Sequence, residues 1–343
     1  MSFDKNLFVS YWHLICHRNE LKNDGDFLKF ETPIGDVVLF NDKDNIIAFD
    51  NKCPHRGAKI YQDDSGNQLA SCPYHKWTYR NSQMIIPDKH RFVECNIDDV
   101  DLNKYRIEFC GDFIFLGIKP LFELRQQIGD SLLETLEKIS FSIKNRLDLN
   151  RYNFECYWAV AIENALEPNH VPIIHSKTLG EMQLEEGENV YANANSILYA
   201  PIGNSKMKKQ LSSMRKFFDI SYQYEGYMSI YLFPFTTLNS TFGYSYGLQH
   251  FFPSAESENK TKFTSRILIS KIAKTEYKEF LDPFFKNYAL SVRDVFAEDH
   301  EICRLVPRDS WSMEPLKYAS ELEVKINHFR QMCAKTIQFN QKG

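Results

Sequence analysis

The sequence predicts an α+β protein with two domains, a smaller all-β domain followed by a larger domain that combines a sheet with long helices. Strand patterns occupy residues 27–50 and 105–116, a helical period begins near residue 121, and strand patterns return over residues 191–271 before a helical C-terminal region. A chain of 343 residues is long enough for two domains with separate cores. We therefore expect domains at residues 1–119 and 120–343.

The first domain is predicted from short apolar runs that are separated by turn residues. Strands are expected at residues 27–31, 37–40, 46–49, 105–109 and 113–116. The segments between the early runs contain Pro, Gly, Asp and Asn, which favour turns. A series of short strands of this kind fits a small all-β domain.

The second domain begins with a change of period. Apolar residues recur at helical spacing between residues 121 and 145, at Leu124, Ile128, Leu132, Leu136 and Ile139. Strands are clearest over residues 222–235 and 240–252, and helices are expected at about 276–306 and 314–339. The lysine-rich segment 201–215 is predicted to be a mobile loop. The abundant Phe and Tyr residues of this half indicate either an apolar cavity or an aromatic core.

Composition and charge exclude several kinds of partner. The formal net charge is -4 without a basic block, which argues against nucleic acid and anionic membranes as partners. No apolar stretch reaches the length of a membrane span, and the N-terminus lacks the apolar core of a signal peptide. Six of the eight cysteines have no paired spacing, which is typical of reduced cytosolic thiols rather than of a disulfide framework. We expect a cytoplasmic protein.

Two short motifs place two thiols and two imidazoles in a mixed pattern, Cys53-x-His55 and Cys72-x-x-His75. A [2Fe–2S] cluster needs four protein ligands, and two histidines in place of two cysteines on one iron make a Rieske centre. Each motif holds one Cys and one His, so each loop can offer one ligand to each iron. A structural zinc site is the alternative, but zinc sites usually pair Cys with Cys and His with His.

Both motifs closely resemble the Rieske signature of ring-hydroxylating oxygenases, in the runs Cys53-Pro54-His55-Arg56-Gly57-Ala58 and Cys72-Pro73-Tyr74-His75-Lys76-Trp77. The family usually has a glycine where this chain has Lys76. Glycine adopts positive φ easily and lysine does not. Either this loop has a different backbone or the glycine is not required, and the ammonium of Lys76 is predicted to favour the reduced cluster.

A second redox centre is predicted from the run Glu163-Asn164-Ala165-Leu166-Glu167-Pro168-Asn169-His170-Val171-Pro172-Ile173-Ile174-His175. His170 and His175 are similar to the His-x₄-His element of Rieske oxygenases, and two histidines with one carboxylate bind iron in non-haem Fe(II) oxygenases. Residues five apart on a regular helix point about 140° away from each other. Pro172 is therefore expected to break the helix and turn His175 back toward the metal. Two unrelated histidines at a helix end are the alternative.

The third iron ligand is expected on the late helix. Asp299 is the only charge in a stripe of apolar residues at three- and four-residue intervals, formed by Leu281, Phe285, Tyr288, Val292, Val295, Ile302 and Val306. An unpaired carboxylate in such a stripe is costly, so it should meet a cation or a metal. We predict Asp299 as the ligand, while a one-residue error in register favours Glu298 and a salt bridge is the non-metal alternative.

The resemblance implies a helix-grip (START-like) catalytic domain whose antiparallel sheet wraps a long helix over an apolar cavity. It implies catalytic roles for Asn164 and Glu167, the latter at a position where the family usually has Asp and a minority has Glu. In the family this carboxylate joins neighbouring subunits of a ring-shaped trimer, here by bridging His75 of the cluster and His170 of the iron site. An exposed acid at a helix start is the alternative role of Glu167.

The implied function is that of a terminal oxygenase component. Such a protein uses a [2Fe–2S] cluster and a mononuclear Fe(II) site to activate O₂ and to hydroxylate or oxidatively dealkylate a mostly apolar or aromatic small molecule. The chain has neither plant-ferredoxin Cys spacing nor a Gly-x-Gly-x-x-Gly fingerprint, so a separate NAD(P)H reductase, with or without a ferredoxin, is expected. The alternatives are a Rieske electron-transfer protein with a ligand-binding domain and a zinc-stapled binding protein.

Overall fold

The computed structural model describes residues 2–340 of the chain, with side chains through residue 337. The first part of this range contains one helix and ten strands: α1 (Phe3–Ser10), β1 (Trp12–His17), β2 (Asp26–Thr32), β3 (Gly35–Asp42), β4 (Asn45–Asp50), β5 (Ser65–Asn67), β6 (Ala70–Ser71), β7 (Thr78–Arg80), β8 (Gln83–Ile85), β9 (Lys104–Cys110) and β10 (Phe113–Gly117). Seven strands form an antiparallel sheet in the order β1-β10-β9-β4-β3-β2-β5, and β6-β7-β8 form a smaller one. This is the all-β organisation that the sequence predicts.

Turn chemistry sets the register of this first part. Each of the five predicted strands lies within an observed strand, namely β2, β3, β4, β9 and β10. A two-residue turn joins β3 to β4, where Lys43 and Asp44 have φ of 53° and 67° between the paired residues Asp42 and Asn45. Two consecutive positive φ angles match the twist of the flanking strands, which explains the tight hairpin.

The second part of the chain combines seven helices with eight strands within the described range: α2 (Leu124–Ile128), α3 (Asp130–Ser142), β11 (Ile143–Phe154), α4 (Trp158–Leu166), α5 (Val171–Ile174), β12 (Glu188–Ala192), β13 (Asn195–Ala200), α6 (Ser205–Met214), β14 (Phe218–Asp219), β15 (Tyr227–Leu232), β16 (Thr236–Thr241), β17 (Ser245–Pro253), β18 (Thr261–Ile272), α7 (Lys278–Cys303) and α8 (Val324–Asn340). The antiparallel sheet runs β11-β18-β17-β16-β15-β13-β12, and β14 pairs with β18. Among residues 2–340, no helix is both long and apolar enough to cross a membrane.

Two predictions for the helices of this part are wrong in detail. The helix expected over residues 121–145 is divided into α2 and α3 at Gly129, whose φ of 87° lies outside the helical region, and its last residues belong to β11. The loop expected over residues 201–215 contains α6, which begins after Asn204. The Asn204 side chain accepts a hydrogen bond from the Met207 N–H at 3.1 Å and so caps the helix.

The predicted strand over residues 240–252 is a hairpin instead of one strand. It spans the end of β16, a turn at Phe242 and Gly243, and most of β17. Both turn residues have positive φ, 58° and 76°. The predicted strand over residues 222–235 is shorter than expected, since β15 covers only its middle. The ends of these strands could not be predicted from the sequence, because the aromatic and Thr residues, which favour strands, continue on both sides of the turn.

The N-terminal helix belongs to the core beneath α4. The Phe8 ring lies 5.3 Å from the Phe252 ring of β17, and the Trp158 ring of α4 lies 4.8 Å from that of Phe235. Asp4 Oδ1 accepts a hydrogen bond from the Trp158 indole at 2.8 Å. The start of α4 is therefore held by the first turn of the chain, and α4 leads directly into the predicted iron site.

A buried charge cluster joins the two parts of the protein. The Glu20 side chain is fully buried and pairs with Arg146 of β11 at 3.0 Å and with Arg266 of β18 at 3.3 Å. Arg266 Nη1 donates to His250 Nδ1 at 3.2 Å, and His250 Nε2–H donates to the Leu14 carbonyl at 2.7 Å. Burial and then the Arg266 charge lower the pKa of His250 well below its ordinary value, which keeps the ring neutral. The cluster fixes how β1 meets the catalytic sheet.

We predict that Glu20→Gln lowers the free energy of unfolding by about 3 kcal/mol or more, because it leaves the Arg266 charge buried without compensation. The matched control is Glu31→Gln, which removes a second ion pair between the same two parts, to Lys262 at 3.0 Å, but at a more exposed position. It should cost less than about 1 kcal/mol. Denaturant unfolding followed by circular dichroism measures both, and equal losses would contradict the role given to burial.

Candidate functional site

Two loops carry the predicted cluster ligands. Cys53 and His55 lie between β4 and β5, and Cys72 and His75 lie between β6 and β7. Each loop makes the same turn, in which the N–H of the fourth residue after the cysteine donates to the cysteine carbonyl, at 2.9 Å in the first loop and 3.0 Å in the second. The structure therefore presents the two Cys–His pairs on matching backbone turns.

The four side chains are arranged with the thiols inside and the imidazoles toward the surface. Cys53 and Cys72 are 3% and 1% exposed, while the two imidazoles meet with Nδ1 atoms 3.2 Å apart. Burial raises the pKa of the Cys53 thiol, and the adjacent Cys72 thiol raises it further, against the lowering effect of nearby backbone N–H groups. The Trp77 ring stacks on His55 with centroids 4.5 Å apart. Two buried thiols and two outer imidazoles fit a cluster with one Cys-ligated and one His-ligated iron.

Lys76 occupies the position where a glycine was expected. Its φ is 58°, in the left-handed region, and the equivalent residue of the first loop, Gly57, has φ of 75°. The idea that Lys76 gives this loop a different backbone is therefore wrong. A residue with a Cβ atom in this region carries a strain of roughly 1–2 kcal/mol, which only the second cluster loop bears. The effect of the Lys76 ammonium on the cluster stays a prediction.

The two histidines of the second site flank a single helical turn. The helix α4 ends at Leu166, Glu167 is extended with φ of -115°, and α5 follows after His170 and ends before His175. The prediction that Pro172 breaks a helix is wrong. Pro172 lies in the first turn of α5. A backbone N–H at this position has no acceptor within the helix, so a proline, which lacks this N–H, loses no hydrogen bond there. The interruption lies at residues 167–169, before both histidines, and the two imidazoles lie at opposite ends of the single turn α5 with ring centroids 5.1 Å apart.

His170, His175 and Asp299 come together as predicted metal ligands. One ligand atom from each lies within 4.8 Å of the other two. Asp299 Oδ1 of α7 is 3.0 Å from His175 Nε2 and 3.6 Å from His170 Nε2. His175 is 1% exposed, and the side chains of His170 and Asp299 are only slightly more accessible. Two imidazoles and one carboxylate that converge in this way fit the facial triad of non-haem iron.

The outer nitrogen of each imidazole contacts a second carboxylate. His170 Nδ1 is 2.5 Å from Glu167 Oε1, and His175 Nδ1 is 2.7 Å from Glu298 Oε2. A carboxylate at this nitrogen fixes the tautomer and the orientation of a metal-binding imidazole. Glu298, the alternative ligand in the sequence, thus lies behind His175, and Asp299 faces the Nε2 atoms of both rings.

Further donors hold these carboxylates in place. Asn164 Nδ2 donates to Asp299 Oδ1 at 2.7 Å, and the Thr178 hydroxyl donates to Glu298 Oε2 at 2.9 Å. The backbone N–H groups of Asn169 and His170 donate to Glu167 Oε2. Sequence reasoning missed Thr178 and the role of Glu298, since both depend on a contact between distant segments that no local pattern records.

The site concentrates negative charge around the imidazoles. Burial by itself lowers the pKa of His175, but the hydrogen bonds and charges of Asp299 and then of Glu298 outweigh it, so the pKa is raised. The same charges would attract a metal cation, which would compete with the proton for His175. The electrostatics of the group therefore agree with its donor set.

Models of two protein families match the chain. Residues 11–93 match the Rieske [2Fe–2S] domain, and residues 144–338, more than half of the chain, match the ring hydroxylating alpha subunit (catalytic domain). The chain belongs to the ring-hydroxylating alpha subunit family. Members of this family use a [2Fe–2S] cluster and a mononuclear iron, and the Cys₂His₂ and His₂Asp donor sets described above fit these two groups.

Curated relatives are large subunits of oxygenases. The anthranilate 1,2-dioxygenase large subunit of Acinetobacter baylyi is 26% identical over 188 residues, 52% of this chain and 40% of the relative. The benzene 1,2-dioxygenase subunit alpha of Pseudomonas putida is 36% identical over 171 residues, 46% of this chain and 37% of the relative. The carnitine monooxygenase oxygenase subunit of Escherichia coli K12 is 28% identical over 120 residues, 34% and 32% of the two chains. The matched region spans two fifths or less of each of these relatives.

Solved structures of oxygenases confirm the predicted fold class. A quaternary ammonium Rieske monooxygenase in complex with an inhibitor aligns with a TM-score of 0.76 over 97% of this chain and 90% of that chain, at 17% identity. A naphthalene 1,2-dioxygenase mutant bound to phenanthrene aligns with a TM-score of 0.74 over 97% and 88%, at 16% identity. This chain and the two solved structures share the α+β organisation, in which an N-terminal all-β Rieske domain precedes a domain of helices and antiparallel sheet.

We predict that Glu298→Gln weakens the affinity for iron roughly 10- to 100-fold, because a neutral amide polarises the His175 ring less than a carboxylate does. Titration of the iron-depleted protein with Fe(II) against a competing chelator measures the affinity. The matched control is Glu301→Gln on the same helix, an exposed residue that pairs with Arg304. The visible spectrum of the [2Fe–2S] cluster should be unchanged in both variants, and equal iron affinities in the two would contradict the role of Glu298.

Proposed function

We propose that this alpha subunit is the terminal oxygenase component of a multicomponent enzyme that hydroxylates or oxidatively dealkylates a small molecule with O₂. The supporting observation is that one chain carries both a Cys₂His₂ cluster motif and a His₂Asp group whose ligand atoms lie within 4.8 Å. When bound, the cluster and the mononuclear iron supply the electrons that O₂ needs. An electron-transfer protein needs only the first of these sites, so the alternative leaves the second unexplained.

The proposed site residues follow the donor sets. Cys53, His55, Cys72 and His75 are assigned to the cluster, within a Rieske domain of residues 1–119. His170, His175 and Asp299 are assigned to the mononuclear iron, within a catalytic domain of residues 120–343. The gap between β10, which ends at Gly117, and α2, which begins at Leu124, supports a division between these domains.

Three further residues are proposed to set the protonation and orientation of the iron ligands. Glu167 and Glu298 hold the Nδ1–H groups of the two histidines, which leaves each Nε2 unprotonated toward the metal. Asn164 holds Asp299 by one of its oxygens. All three partners come from α4, α7 or the segment between α4 and α5.

The route of electrons is proposed to cross a subunit boundary. His75 is exposed at the edge of the cluster loops, beside the exposed Tyr74, and Glu167 is bonded to His170 within its own chain. We infer that Glu167 meets the cluster histidine of a neighbouring subunit in a homotrimer. A separate NAD(P)H reductase, with or without a ferredoxin, is proposed to supply the electrons in the cytoplasm, where the eight unpaired cysteines stay reduced.

The substrate is proposed to be a small organic molecule with a mostly apolar or aromatic body. The named relatives act on anthranilate, benzene and carnitine, so the family accommodates both aromatic rings and a quaternary amine. The decisive experiment is a substrate screen under ¹⁸O₂ with a surrogate reductase. Label in the product identifies the substrate and the reaction type together, whereas cluster reoxidation without labelled product from any substrate would contradict the oxygenase proposal.

Metal counting in two variants tests the two sites separately. His170→Ala removes one imidazole of the His₂Asp group and leaves the proposed cluster ligands intact. It should therefore lose the mononuclear iron and all product formation but keep the cluster spectrum. Cys53→Ser should bleach the cluster spectrum instead. If the unaltered protein and His170→Ala both contain only the two irons of the cluster per chain, the electron-transfer alternative is favoured.

We predict that Glu167→Gln retains both metal centres and nearly abolishes turnover. A glutamine oxygen still accepts the His170 Nδ1–H, but the negative charge proposed to join two subunits is lost. Product formation and the rate of cluster reoxidation in a single turnover are measured beside an exposed control, Glu181→Gln. Normal rates in Glu167→Gln would show that this carboxylate takes no part in coupling.

A further inference from the structure

A cavity lies beside the proposed iron site and shares a wall with it. It has a volume of about 440 Å³, within the range of small-molecule sites, and lies between the α4–α5 segment, the strands β12 and β13, and the start of α8. Leu166, Asn169, Val171 and Pro172 contribute to the shared wall. His170, His175 and Asp299 do not line it. The cavity is therefore adjacent to the iron ligands and separate from them.

A buried lysine without a partner lies in this cavity. Lys325, in the first turn of α8, is 3% exposed, and its Nζ has no hydrogen-bond partner among the described residues. No salt bridge within the described range reaches it, and burial alone lowers its pKa to about 8. A buried ammonium without a counter-charge is costly, and proteins usually pair such a group with an anion. The missing anion is best supplied from outside the chain.

A second residue of the cavity wall also has a buried polar atom without a partner in the described part of the chain. Asn189 of β12 lines the cavity, and its Oδ1 is buried without a hydrogen-bond donor among the described residues. An acceptor cannot bind a carboxylate, so it calls for a hydroxyl or N–H group on the same ligand. Within residues 2–340, the cavity wall thus includes one residue with an unpaired donor, Lys325, and one with an unpaired acceptor, Asn189.

The remaining lining residues limit the ligand further. Leu166, Val171, Leu184, Leu198 and Ala200 provide apolar walls. Three glutamates, Glu185, Glu186 and Glu321, also line the cavity and are exposed to solvent, so they lie toward its mouth. Their charge repels anions, and it repels a dianion such as phosphate more strongly than a single carboxylate. The chemistry of the cavity is that of a monoanion with an apolar body.

We propose that this cavity binds a small carboxylic acid that also carries a hydroxyl or N–H group, with the carboxylate on Lys325 Nζ and the donor on Asn189 Oδ1. The ligand occupies a site beside the iron centre rather than the iron centre itself. Its binding removes the unpaired charge of Lys325, so the ligand stabilises the folded protein. It also contacts the segment that carries Glu167 and His170, which gives the site a direct influence on the iron ligands.

The probes that test this proposal are the hydroxybenzoate isomers and hydroxyhexanoate, each compared with its uncharged amide. Isothermal titration and thermal unfolding of the holoprotein measure binding. At least one acid should bind and raise the melting temperature, and its amide should bind about tenfold more weakly or worse, as expected for the loss of a hydrogen bond to a charged group. If no acid binds at millimolar concentration, or if the amides bind equally well, the proposal is overturned.

Variants separate the roles of the two polar groups. Lys325→Met should abolish acid binding and raise the melting temperature of the ligand-free protein, because it removes a buried unpaired charge, while Lys325→Arg should retain binding. Asn189→Ala should remove the preference for hydroxybenzoate over benzoate. The control is Lys335→Met, an exposed lysine on the same helix that should leave binding unchanged. Equal acid binding in Lys325→Met and in the unaltered protein would overturn the proposal.

A last variant distinguishes this site from the iron centre. Asp299→Asn alters the iron ligands from α7, which contributes no residue to the cavity wall. Acid binding that persists in Asp299→Asn supports a separate site. Acid binding that disappears there assigns the ligand to the iron centre and overturns the proposal, while the function proposed for the protein would be unaffected.

Discussion

The Asp299 carboxylate organises the catalytic half of this protein. A single acid on the otherwise apolar face of α7 would be costly to bury alone, and the structure surrounds it with groups from two other segments. Asn164 of α4 donates to it, and the Nε2 atoms of His170 and His175 lie within 3.6 Å of it. One charge thus holds together α4, the single turn α5 and α7, and it does so at the point where a metal ion fits.

The two proposed metal sites are built by different physical means. In the cluster site, the backbone repeats one turn in two loops, and the ligands follow from that repetition even where Lys76 replaces a glycine. In the iron site no backbone pattern repeats. Side chains position other side chains, with Glu167 and Glu298 on the outer nitrogens of the two imidazoles. The first site depends mainly on local conformation, and the second on the packing of α4 against α7.

That packing in turn depends on the N-terminal part of the chain. The residue Asp4 holds the start of α4, while the buried group of Glu20, Arg146 and Arg266 fixes β1 against the catalytic sheet. Paired charges away from water are strong only in one geometry, so they select a single arrangement of the two parts. This protein is therefore poorly described as two independent modules.

The sequence by itself determined the all-β first part, the two cluster loops and the identity of the iron-ligand candidates. Strand periods, turn residues and Cys–His spacing are local features, so they can be recognised directly in the sequence. It did not determine the break at Gly129, the helix α6, or that Pro172 begins a helical turn rather than ending one. Only the tertiary structure placed Asp299 toward the Nε2 atoms of both histidines and Glu298 at Nδ1 of His175, and only it brought Thr178, Lys325 and Asn189 to their positions. Those outcomes depend on which face of one segment meets another far away in the chain, and no spacing within either segment encodes that contact.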